Sequence, residues 1–217
     1  VFMRRLYRLR LGLMAAFIIG FAHIAMAHPH VWITGQEQVI FGPNGDIVAI
    51  RHASVFDEMY SAFVTEGVGK KGQLLTKADL APLAKSNVED LAEFDYFTHA
   101  KIHSVKVEFG EPTDYSLEER PDKLVVLRFT MPLKTPVSAK LFSFQVYDPT
   151  YFVAFELDKQ TPVSFVNAPK GCSTNVSGAK PLAAEESKKL TESFFSGLSP
   201  GSDFGVKLAS AVIVACP

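Results

Sequence analysis

The run VWITGQEQVIF at residues 31–41, then GPNGD at 42–46, then IVAIRHASV at 47–55, decides the architecture of this chain. The flanking runs are rich in β-branched and aromatic residues, and the Gly-Pro-Asn-Gly-Asp cluster between them is a turn signal. A β-hairpin is the natural product.

Downstream of the hairpin the periodicity changes. DEMYSAFVTEG at 57–67 spaces Met59, Phe63 and Val64 along one face of a helix, and residues 76–94 give a second helical stretch with Thr76 as its N-cap. The GVGKKGQLL between them has no core-forming content and reads as a loop and a hinge. After Asp95 strand patterns return at 96–109, 115–119, 123–130, 141–147, 151–157 and 163–166. Pro112, Pro121, Pro132, Pro136, Pro149 and Pro162 punctuate them. A helix at 182–195, a Gly/Ser/Pro linker and an apolar strand-like tail at 204–216 complete the chain. The expectation is an α+β fold: an antiparallel β-sheet or sandwich-like core with a helical pair inserted at about 57–95. No internal repeat is visible.

Upstream of the hairpin, Arg4, Arg5, Arg8 and Arg10 precede an apolar run from Leu11 to Ala22 and then Ala25-Met26-Ala27. Basic, apolar and small-residue regions in that order form a secretory signal, and the apolar run is shorter than the ~20 residues of a spanning helix. Cleavage after Ala27 is expected, giving residues 1–27 as the signal and 28–217 as one periplasmic domain with no membrane span. Removal of four arginines and no acid takes the 22 basic residues to 18 against 23 acidic ones. With no basic stripe to neutralise phosphates, a nucleic-acid partner is not expected. The two cysteines, Cys172 and Cys216, most simply form one disulfide in an oxidising compartment, the rival being free thiols or metal ligands.

Cleavage would make the mature N-terminus HPHVWI. The new α-amine, the His28 imidazole and the His30 imidazole, which lies on the same face of an extended segment, are three nitrogen donors in one tripeptide. Pro29 has no N–H to lose, so the square-planar copper and nickel chelate that uses the second amide is blocked. Completion of a site for zinc, nickel, cobalt or copper then falls to other residues, the candidates being His52, Asp57, Glu58, His99, His103 and Asp148. His52 lies on the returning strand of the hairpin and is expected to approach His28 and His30. His99 and His103 sit on strand and turn, where a spacing of four separates side chains by ~13 Å. The loop at 67–80 has the outline of an EF-hand calcium site, but its oxygen positions hold Gly67, Gly69, Lys71 and Ala78, so calcium is not expected.

At HPHVWI, RHASVFDEMYSAF, LAEFDYFTH, VYDPTYFVAFEL, APKGC and the closing ACP, the chain resembles the domain of unknown function 1007 family. The resemblance spans the mature chain and implies the periplasmic component of an uncharacterised ABC-type transport system. Members often neighbour genes for nickel, cobalt or zinc transporters, which implies an inner-membrane metal or ABC-type transporter as partner. His28, His30, His52, Asp57, Glu58 and Asp148 fall at the family's motif positions. Many members carry an acidic calcium-type loop between the helices, from which this chain departs.

Three functions follow as expectations. The first is a periplasmic accessory or solute-binding protein that binds a divalent transition metal at the HPH terminus, without enzymatic activity. The second is a copper oxidase using an amino-terminal histidine brace. The third is a module that binds a non-metal solute or a partner protein.

Overall fold

A computed structural model describes residues 29–69, 72–138, 140–179, 190, 194 and 203–217. The hairpin forms as the sequence demands. Strand β1 (Val31–Phe41) turns through Gly42–Asp46, with Gly45 at φ 81°, into β2 (Ile47–Phe56), and the two pair antiparallel with Ile33 opposite Phe56 and Glu37 opposite His52. On β1 the odd-numbered residues are all buried, so one face of this hairpin is the floor on which the rest is built.

Two helices follow. α1 (Glu58–Thr65) is capped by Asp57, whose side chain accepts from the Tyr60 N–H. α2 (Lys77–Leu91) starts at Thr76 in a capping box with Asp79, each side chain accepting the other's backbone N–H. Leu80, Ala84 and Val88, spaced four apart on α2, are its buried stripe. A 3₁₀ turn, Ala92–Phe97, then leads into strands.

These are β3 (Thr98–Ile102), β4 (Val105–Lys106), β5 (Thr113–Glu119), β6 (Val125–Val137), β7 (Phe142–Val146), β8 (Val153–Leu157), β9 (Val163–Val166), β10 (Ser173–Ser177) and β11 (Ala211–Ala215). One sheet runs β5-β6-β2-β1-β8 with β9 also on β1, and the other runs β10-β11-β7-β3-β4. Most pairings are antiparallel, as expected, but β8 and β9 both run parallel to β1, which the hairpin spacing did not foretell. The continuous strand expected at 96–109 is broken at His103 and Ser104, both in the left-handed region. Of the helix expected at 182–195 only residues 190 and 194 are described, and the signal at 1–27 lies outside the described residues.

The buried face of the first sheet is shared between two covers. Val31, Ile33, Phe56, Leu127 and Phe129 pack with Leu80, Ala84 and Val88 of α2, whereas Val39, Phe41, Ile47 and Ile50 pack with Ala100, Phe142, Phe144, Val212 and Val214 of the second sheet. His52 and Glu37 lie on the same face between these two groups. The tail is fastened by a disulfide between Cys172 and Cys216, the pairing read from the sequence. Among the described residues no helix is long and apolar enough to cross a membrane.

Candidate functional site

Between the helical pair and the first sheet lies a cavity of about 490 Å³. Its floor is the sheet: Val31 and Ile33 of β1, His52, Ser54 and Phe56 of β2, Leu127 and Phe129 of β6, Val153 and Phe155 of β8. Its rim is Tyr60 of α1, the last turn of α2 with Asn87, Asp90 and Leu91, and Phe94, Tyr96 and Phe97 of the 3₁₀ turn. The remaining side is the loop that carries Asp148, Thr150 and Phe152. The size suits a small organic molecule, and so does an apolar lining with few polar groups.

The polar groups are of two kinds. Most are already committed. His52 Nδ1 is 2.6 Å from Glu37 Oε2, both side chains about 2% exposed, in an ion contact that leaves that oxygen without an aligned hydrogen bond. The Thr98 hydroxyl donates to the Tyr96 carbonyl at 2.9 Å, so at 3.3 Å it is an acceptor for His52 Nε2. Both ring nitrogens therefore face oxygens, of Glu37 on one side and of Thr98 on the other. Phe129 stacks on the ring with centroids 4.7 Å apart. Gly35 completes the nest, because a Cβ there would lie 2.9 Å from Glu37 Oε1. Tyr60 and Asn87 are bonded to each other at 3.4 Å, and Asn87 donates to the Leu83 carbonyl. Ser54 is different: its hydroxyl sits on the cavity floor and has no hydrogen-bond partner among the described residues.

Backbone strain collects around the same space. Asp95, Tyr96 and Phe97 are three consecutive non-glycine residues with φ of 51°, 52° and 54°, and Tyr151 in the opposite loop has φ 59°. Left-handed non-glycine residues persist only where surrounding structure holds them, at a cost of order ~1–3 kcal/mol each.

Of the sequence candidates, His52 and Asp148 both line the cavity, and the other described ones lie outside its lining. His28 lies outside the described residues. His30 is exposed just before β1, where its N–H donates to the Phe152 carbonyl and its ring packs on Phe152 at 4.7 Å. His52 does not approach it. The antiparallel register puts His52 opposite Glu37, seven residues from His30, or about 20 Å along an extended strand. Asp57 spends one oxygen on the Tyr60 N–H and the other on the Trp32 N–H, at 2.9 and 2.8 Å. Glu58 is exposed in the first turn of α1, where it faces the positive end of the helix dipole. Asp148 is buried and saturated: Oδ1 accepts from the Thr150 N–H and hydroxyl, and Oδ2 from the Val153 N–H. His99 stacks on Tyr147 at 4.2 Å, and His103 is exposed in the turn between β3 and β4. Among the described residues no three His, Cys, Asp or Glu side chains are grouped to hold a metal ion.

Sequence reading missed Glu37, Ser54, Thr98 and the aromatic rim. Glu37 had a signal, as the lone acid on the inward stripe Val31, Ile33, Gly35, Val39, Phe41. With this geometry in view, comparison with known proteins is informative: residues 13–216 match the family model described as a protein of unknown function, DUF1007. The chain belongs to the DUF1007 family. A relative described as an uncharacterized protein of Haemophilus influenzae is similar at 26% identity over 213 residues, covering 97% of this chain and 98% of that one. An uncharacterized 15.5 kDa protein in the trpE 3' region of Spirochaeta aurantia is 31% identical over 87 residues, 40% of this chain and 61% of its own length. The DUF1007 match spans the hairpin, the helical pair and both sheets, so the cavity lies wholly within the family's extent.

Proposed function

We propose that this DUF1007 protein is a periplasmic solute-binding or accessory module of an inner-membrane transport system, and that its solute occupies the cavity between the helical pair and the first sheet. The observation that carries the reading is the cavity itself: an apolar chamber of about 490 Å³ with a free hydroxyl on its floor and strained backbone on two sides. Filling such a chamber would bury apolar ligand surface at roughly 25 cal/mol per Å². The export signal read at 1–27 and the disulfide support an oxidising compartment. The link to a transporter rests on the family resemblance.

A thermal-shift screen of organic solutes against zinc, nickel and copper tests the reading. Stabilisation by apolar organic molecules, abolished in a Ser54→Phe variant whose bulk fills the floor, is the expected result. Stabilisation by metals alone would overturn it.

A metal reading survives in narrower form. The exposure of His30 at the start of β1 favours a surface chelate made by residues 28–30 without help from His52, Asp57 or Asp148. Calorimetric titration of protein beginning at His28 with zinc, nickel or copper should then show binding that His30→Ala weakens and His52→Gln leaves alone. Binding that needs His52 would contradict that form of the site.

A further inference from the structure

The cavity has a sign of charge at its rim. We infer that its ligand is an apolar molecule with a cationic ammonium head group, the head seated at the C-terminal end of α2 and the apolar body on the sheet floor. This rests on the cavity being the ligand site and adds the chemical class of the ligand.

Two independent features point the same way. The last turn of α2 supplies Asn87, Asp90 and Leu91 to the rim, and no basic residue stands in that turn. Asp90 adds a full negative charge, and it has no ion-pair partner among the described residues. The cavity lining contains no lysine or arginine, and His52 is in contact with the Glu37 carboxylate at 2.6 Å. An anionic head would therefore meet a carboxylate of its own sign, with no lysine or arginine in the lining to compensate.

The rings do the rest. Tyr60, Phe94, Tyr96 and Phe97 stand at the same rim as Asp90, and the faces of aromatic rings attract a cation held within about 6 Å. Asp90 also raises the Tyr60 hydroxyl above its ordinary value, after the larger effect of burial, so the carboxylate's field reaches that ring. Phe94 and Phe152 are about half exposed at 49% and 46%, as side chains at a mouth would be.

The test uses one tail with three heads. The neutral fluorophore N-phenyl-1-naphthylamine is bound to the purified protein, then displaced with decyltrimethylammonium, 1-decanol or decanoate below their micellar concentrations. Decyltrimethylammonium should displace it at about tenfold lower concentration than decanoate, the sum expected of an exposed ion pair and a cation–π contact. Asp90→Lys, an exposed substitution at a helix end, should remove or reverse that order while the neutral fluorophore still binds. Equal or better displacement by decanoate, or an order unchanged in Asp90→Lys, overturns the cationic assignment but leaves the cavity reading standing. Failure of the fluorophore and of all three tails to bind overturns both.

Discussion

Glu37 and His52 are each costly to bury and tolerable only together. Removing one partner strands the other in a buried site, so Glu37→Ala should destabilise the fold by about 3–5 kcal/mol in urea unfolding. Replacing both by leucine should cost well below the sum of the single changes, because the pair is then removed whole. Additive losses would show that the contact at 2.6 Å carries no coupling. On β3 of the second sheet, His99 makes a separate prediction. Burial holds its imidazole below the ordinary histidine value of 6.5, against the opposing pull of Asp203 and Asp95. The unfolded chain then takes up the proton more readily than the folded one. His99's contribution is therefore complete above about pH 6.5 and is lost as pH falls through that value toward the lowered one. His99→Phe keeps the stack on Tyr147 and should lessen the fall in stability between pH 7.5 and pH 5; an unchanged slope would contradict it. At this scale the sequence was half legible. Counting outward from the turn at 42–46 already sets His52 opposite residues 36 and 37, not 28 and 30, so a shared hairpin did not mean a shared site. Asp148 and Asp57 stand out in sequence for a local reason: each organises the backbone around it.

The elements that shape the cavity mouth are held by close backbone contacts. Gly205 lies against the loop after β7, where a Cβ would come within 1.8 Å of the Asp148 carbonyl oxygen. Gly205→Ala must push that loop aside, at a cost of order ~1–3 kcal/mol, and should weaken binding of N-phenyl-1-naphthylamine through the displaced mouth. Destabilisation with undiminished binding would separate the loop from the site. The hairpin and both helices were legible because local signals, a turn cluster and a capping residue, specify them. The parallel placement of β8 and β9 was not, since parallel pairing joins strands far apart in sequence and leaves no turn between them to read. β10, STNVS, has no apolar alternation, and it is a strand because β11 offers it a partner.

Across the whole molecule, the disulfide closes a loop between residues 44 apart in sequence. Constraining the unfolded chain over that span is worth about 2–4 kcal/mol, so a Cys172→Ser/Cys216→Ser variant should unfold at lower urea concentration by that amount. The cavity should survive, because its lining draws on neither cysteine nor the β10-β11 pair. An α+β fold with a helical insertion was legible from periodicity. The chamber was not, since it arises where one continuous sheet face passes from a helical cover to a second sheet. No single segment encodes that boundary. The most direct check is methyl NMR of the protein titrated with decyltrimethylammonium. Saturable shifts confined to Val31, Ile33, Leu91, Leu127 and Val153 are predicted. Shifts confined instead to the exposed Met59 on α1, with those five methyl-bearing residues unmoved, would contradict a ligand cavity under the helical pair.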